Sequence, residues 1–155
     1  MFSLSSPAFE NGGKIPSKYT CDEDRLLSPP LFISGVPESA ASLALIVDDP
    51  DVPKMRRPDG VFDHWVLFNL PSDTTDIPEG RSVGTAGVNS AGTAAYTGPC
   101  PPPEYEPSEH RYIFRLYALD EVLNVPGGAT KKEVLAAMEG HVIAMAELVG
   151  RYRRT

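Results

Sequence analysis

Ser42–Pro53 reads SLALIVDDPDVP. Its first seven residues, Ser42–Asp48, are short-run aliphatic and lie between Pro37 and Pro50. That is the profile of a buried strand rather than a helix, which would need a longer run and tolerates no flanking proline of this density. The strand ends directly in Asp49-Pro50-Asp51-Val52-Pro53, so carboxylates emerge where a core strand meets a stiff loop. Two further stretches have the same character. Asp63–Leu70 reads DHWVLFNL, and alternation assigns His64, Val66, Phe68 and Leu70 to one side and Trp65, Leu67 and Asn69 to the other. His110–Leu119 reads HRYIFRLYAL, with His110, Tyr112, Phe114 and Leu116 on one face. Shorter extended pieces fill residues 2–35, among them Leu31-Phe32-Ile33 after Ser28-Pro29-Pro30.

The rest of the chain says why these strands pair without helices between them. There are 16 prolines in 155 residues, about twice ordinary usage. Proline fixes φ and lacks an amide donor, so it belongs to loops and strand edges. A parallel βαβ fold, with a helix in each connection, is thereby disfavoured. Pro71–Tyr96 is long and rich in Ser, Thr, Gly and Ala, a length usually given to function or to short irregular strands. Only the end changes period. Thr130-Lys131-Lys132-Glu133 matches a capping box, and Leu135, Met138, Val142, Met145, Leu148 and Tyr152 follow at spacings of three or four. The spacing predicts one helix running to about residue 153. The expected fold is mainly β: an antiparallel sandwich-like arrangement in one domain over residues 1–155, with a C-terminal helix packed outside.

Charge narrows the function. The net charge is −7, and the basic clusters are small: Lys54, Arg56 and Arg57 in one loop, Arg151, Arg153 and Arg154 at the end. No positive face for a nucleic acid is expected. The loop cluster reads as a solvated turn and the terminal one as a charged helix end. The start, MFSLSSPAF, lacks the regions of a signal peptide, and no stretch approaches 18 apolar residues; the expected place is the cytoplasm, without membrane insertion. There Cys21 and Cys100 default to reduced thiols, a bridge between their two loops being the alternative.

Three segments bring polar side chains to strand ends: Asp49 with Asp51, His64, and His110 with Tyr112. Each has a plain reading as a turn aspartate or a satisfied core histidine. If they converge, a histidine beside a carboxylate is held cationic. Imidazolium donors, the Tyr112 hydroxyl and the amides around Gly98 then make an anion site, with the aspartates orienting the rings. His141, in the expected helix, reads as structural. Hydrolase chemistry is the alternative. A metal could use Asp49, Asp51, His64 and His110; Cys100 could serve as a nucleophile. Gly80-Arg81-Ser82-Val83-Gly84 formally matches GxSxG but lacks the strand before and helix after that the elbow needs.

These residues resemble the phosphatidylethanolamine-binding family in its bacterial Raf-kinase-inhibitor-like branch. The likeness runs from Ser6 to Arg153 through Lys18–Asp22, Ser28–Pro30, Ser42–Pro53, His64–Leu67, Gly98–Pro102, His110–Tyr112, Leu116–Asp120 and Gly128–Lys131. It implies a large central antiparallel sheet, a smaller sheet and a C-terminal helix. It implies a pocket for phosphate-like groups lined by Asp49, Asp51, Pro53, His64, Gly98, Pro99, Pro101, His110 and Tyr112. It implies no cofactor and no catalytic reaction. A homodimer is implied too, as bacterial relatives are often dimeric, and a protein partner, since some eukaryotic relatives bind and block kinases. This chain departs from the pattern at Phe32-Ile33, at Ser90-Ala91 and at Pro103–Glu109, PEYEPSE. The last adds Glu104, Glu106 and Glu109, which are expected beside the pocket and opposed to an anion.

Overall fold

The computed structural model describes residues 1–154. Strand β3 (Ser42–Asp49) is buried along its whole length and lies at the centre of a five-stranded sheet. Its neighbours are β4 (Phe62–Pro71) and β7 (Glu109–Leu119), and the outer strands are β6 (Thr85–Ala86) and β8 (Val142–Arg153), in the order β6-β4-β3-β7-β8. A smaller sheet has the order β1-β2-β5, from β1 (Ser3–Ser5), β2 (Leu31–Ser34) and β5 (Asp76–Ile77). All strand pairs within the two sheets are antiparallel. The mainly β, two-sheet expectation is met.

Apolar layers form on both faces of the large sheet. On one, Leu43, Leu45, Val47, Trp65, Leu67, Tyr112, Phe114 and Leu116 meet Leu31, Ile33 and Ile77 of the small sheet. On the other, Ala44, Ile46, Val66 and Phe68 are covered by Leu123, Ala129 and two residues of helix α1 (Lys131–Met138), Val134 and Met138. This two-sided burial is why β3 reads as an unbroken aliphatic run. Helix α1 begins as anticipated: the Thr130 side chain accepts from the Glu133 amide, and Glu133 accepts from the Thr130 amide in return.

The helix does not continue to residue 153. It ends at Met138, and Gly140, at φ 83°, turns the chain into β8. From Ala144 to Arg153, β8 follows β7 in unbroken register. The spacing of three does not survive: Val142 and Met145 are exposed, and Ala146, Leu148, Gly150 and Tyr152, at the strand spacing of two, point inward. Gly150 and the β-branched Val142, Ile143 and Val149 favour that outcome, and β7 supplies a complete ladder to pair with. A side chain at Gly150 would meet Ile15 Cγ1 at 2.5 Å. His141 is therefore in the turn after α1, its Nδ1 2.9 Å from Asp120 and its Nε2 3.3 Å from Glu121.

Strand β4 also departs from simple alternation, twice. Opposite Leu43 and Leu45 stand Leu70 and Leu67, one residue too many on β4, with Asn69 at φ 54°. The bulge turns Leu70 onto the Trp65–Leu67 face. Opposite Val47 and Asp48 stand Trp65 and Asp63, which leaves His64 as a second extra residue. A bulged residue and its successor share a side, so His64 joins Trp65 and Tyr112 rather than Val66. No described helix is long and apolar enough to cross a membrane.

Candidate functional site

The bulge at His64 and the strand ends of β3 and β7 deliver three polar side chains to one place. Asp49, alternating with Val47, faces the small-sheet side, and so does His110, alternating with Tyr112 and Phe114. They line a pocket of about 460 Å³ together with His64, Thr97, Gly98, Cys100, Pro101 and Pro102. Arg25, Leu26, Val52, Arg56, Arg57, Phe62, Ala91 and Thr93 complete it.

Of the residues expected at the site, Asp49, His64, Gly98, Pro101 and His110 line the pocket; Asp51, Pro53, Pro99 and Tyr112 do not. Asp51 is turned outward and engages the Arg111 guanidinium through both oxygens, at 3.0 and 2.8 Å, rather than orienting an imidazole. Burial resists its charge, but Arg111 outweighs that and lowers its pKa. Tyr112 sits behind both imidazoles, edge-on to His64 at 5.2 Å and stacked on His110 at 6.5 Å. Its hydroxyl is buried without a hydrogen-bond partner among the described residues, and burial first, then Asp49, pushes its pKa up.

The two histidines differ in character. His110 Nδ1 lies 2.6 Å from Asp49 Oδ2, both groups nearly inaccessible. Burial works against the cation, but the bond to Asp49 and its charge prevail and raise the His110 pKa. The Pro107 carbonyl pulls the same way without closing a hydrogen bond of normal geometry, and Nε2 is buried and unpartnered. His64 Nδ1 instead donates to the Thr97 carbonyl at 2.6 Å. Burial lowers its pKa, offset only in part by Thr97 and the more distant carboxylates. The cationic form is thus favoured at His110 and disfavoured at His64.

The Gly98 loop serves as a wall, not a nest of free amides. Gly98 N donates to the Arg25 carbonyl at 2.7 Å and Thr97 N to the His64 carbonyl at 3.0 Å. A side chain at Gly98 would meet the Tyr19 carbonyl oxygen at 2.2 Å, so only glycine admits this approach. The expected reduced thiols are not found: Cys21 and Cys100 are joined, with Cα atoms 5.4 Å apart. The Cys21 amide donates to the Pro99 carbonyl beside the bridge. The Cys100 loop is thereby tied to the segment that carries Arg25.

Three basic lining residues were not expected there: Arg25 went unremarked, and Arg56 and Arg57 read as a solvated turn. Arg25, Arg56 and Arg57 carry guanidinium groups with no carboxylate partner among the described residues. The Arg57 Nε donates to the Val61 carbonyl at 2.8 Å, and its guanidinium lies over Phe62. Arg56 lies over Tyr105. The acidic insert turns away: none of Glu104, Glu106 and Glu109 lines the pocket, and Glu109 pairs with Arg151 at 2.8 Å. Three arginines therefore line a pocket that holds one carboxylate, already bound to His110, in a chain that is acidic overall.

The hydrolase arrangements raised from the sequence are incomplete among the described residues. Among the described residues no three His, Cys, Asp or Glu side chains gather as metal ligands would. Cys100 has no free thiol, and residues 80–84 lie between β5 and β6 with no helix following.

Fold and site together define a two-sheet β protein with a basic, ligand-sized pocket at one end of its central strands. The sequence model of the phosphatidylethanolamine-binding protein family matches residues 5–153, and the chain belongs to that family. It is 50% identical to a protein of Methanothermobacter thermautotrophicus named only as UPF0098, over 98% of this chain and 99% of the other. Among solved structures it resembles a putative phosphatidylethanolamine-binding protein homologue of Chlamydia trachomatis, with TM-score 0.92 and 46% identity over 99% of this chain and 98% of that one. It also resembles Escherichia coli YbcL, described as a member of the mammalian family, with TM-score 0.86 and 28% identity over 99% of both chains.

Proposed function

We propose that the pocket binds a small oxyanion of phosphate type, free or as the headgroup of an ester, and acts by binding rather than turnover. The observation that carries this is His110: a buried imidazole of the pocket wall, its cation favoured by Asp49, whose Nε2 has no hydrogen-bond partner among the described residues. A buried charge-assisted donor left unpaired is costly, and an anion removes that cost. The Arg25, Arg56 and Arg57 guanidinium groups add attraction at the same pocket. The disulfide and the prolines at 99 and 101–103 hold the wall in place, which lowers the ordering cost of binding.

The test is a titration of inorganic phosphate at pH ~6, followed through the imidazole NMR signals of wild type and His110→Gln. A saturable shift of the His110 and His64 signals in wild type, lost or weakened about tenfold or more in the variant, supports the reading. Linear, unsaturated drift in wild type at tens of millimolar phosphate would sink it.

A further inference from the structure

His64 lines the same pocket as His110 but offers the opposite hydrogen-bonding group. Its Nδ1 is 2.6 Å from the Thr97 carbonyl oxygen, and a carbonyl can only accept, so the ring proton stands on Nδ1. The faces of the ring meet uncharged groups: Phe62 at 4.7 Å and Tyr112 at 5.2 Å between centroids. The carboxylates near it are committed elsewhere, Asp49 to His110 and Asp48 and Asp63 to Lys131 on the far side of the sheet. The ring is therefore neutral, and Nε2 presents a lone pair. No protein group donates to that nitrogen among the described residues, and the pocket lies against the ring.

We propose that His64 is the specificity residue of this pocket: its Nε2 accepts a hydrogen bond from a ligand hydroxyl, so protonated oxyanions are selected over unprotonated ones. This rests on the anion-binding reading and adds to it the class of anion. Hydrogen phosphate and a phosphomonoester monoanion carry P–O⁻ and P–OH on one phosphorus. The first group accepts from His110 and the second donates to His64. Sulfate has the same shape and a charge equal to that of hydrogen phosphate, higher than that of the dihydrogen form that prevails at the acidic end, but no hydroxyl near neutral pH. Placed here, it sets an oxygen lone pair against a nitrogen lone pair, and both stay unpaired. The arginines cannot produce a preference for phosphate, since they attract sulfate, with an equal or higher charge, at least as strongly. A buried group that goes unpaired with the wrong ligand is the strongest means of discrimination available to a binding site.

The experiment compares inorganic phosphate with sulfate at pH ~6 and matched ionic strength, in wild type and His64→Phe, by the His110 imidazole signals. The expected result is a Kd for phosphate at least about tenfold below that for sulfate, with the ratio collapsing toward one in the variant. Equal affinity for the two anions in wild type overturns the inference and leaves the anion-binding reading intact. Failure of both anions to saturate overturns both. Imidazole nitrogen shifts of His64 in the wild-type phosphate complex give a second measure that needs no folded variant. A bare Nε2 supports the inference, and an imidazolium pattern overturns it.

Discussion

Asp48 and Asp49 are neighbours on β3 and face opposite sides of the sheet, and the two sides treat charge in opposite ways. Around Asp48 the charges close on themselves. Lys131 Nζ stands 3.2 Å from Asp48 and 2.7 Å from Asp63, and Arg115 lies 3.7 Å from Asp48 and 3.2 Å from Glu147. Helix α1, which carries Lys131, lies over this face. Around Asp49 the accounts stay open: His110 Nε2 is buried without a partner, and three guanidinium groups have no carboxylate. One face has satisfied its polar groups from within the chain and can do little else. The other leaves them open, and they are what the proposed ligand would meet.

The comparison can be broken most forcefully at the cross-link, which serves only the open side. The Cys21–Cys100 bridge spans 79 positions of sequence; by the chain-entropy model its loss costs about 4 kcal/mol. Urea unfolding of Cys100→Ser against wild type measures this. A loss below about 1 kcal/mol would mean that residual structure in the unfolded chain already restricts the loop.

On the closed side, Lys131→Met leaves Asp48 and Asp63 facing one another. The side chain is 21% exposed, so the loss is placed at about 2 kcal/mol, below that of a fully buried pair. Phosphate affinity is expected to be unchanged, and a matching loss of binding would show that the faces are not independent. Burial opposes the Lys131 charge, but Asp63 and Asp48 raise its pKa above the ordinary 10.5. Its contribution is therefore full below 10.5 and fades as pH rises through the higher folded value. The variant's stability curve should lack that alkaline fall.

The smallest effect separates the two histidines. His110, with a raised pKa, adds stability that is complete below the ordinary value of 6.5 and is lost as pH rises through its folded value. His64, with a lowered pKa, does the reverse: the fold loses stability as pH falls below 6.5, because the unfolded chain takes up the proton first. Thermal melts between about pH 5 and 8 on Asp49→Asn should show the His110 contribution gone and the His64 contribution kept. If both vanish, the rings titrate as one unit.

Much of this was legible in the residues. The aliphatic runs of β3, β4 and β7, the carboxylates at the end of β3 and the Thr130–Glu133 cap are local features, and local features can be read from one sequence. What stayed hidden was set by partners. Residues 142–153 offer one set of residues at helical spacing and another, Ala146, Leu148, Gly150 and Tyr152, at strand spacing, and only the open edge of β7 decides between them. The bulges at His64 and Asn69 exist relative to β3 and leave no mark on β4 alone. Arg56 and Arg57 look like any solvated turn until Tyr105 and Phe62 fix their aim. Cys21 and Cys100 each sit in a loop, and nothing in either loop states that they meet.

The extra residue at His64 makes the site a matter of parity. Remove one residue between Asp63 and Trp65, and β4 can still pair with β3 on both sides of the gap. Trp65 keeps its place in the core, and Asp63 keeps Lys131. Only the imidazole is lost to the pocket. Among relatives of this chain, identity scores would hardly register such a change, whereas an odd or even count between those two landmarks would say which of them keep the imidazole in the pocket.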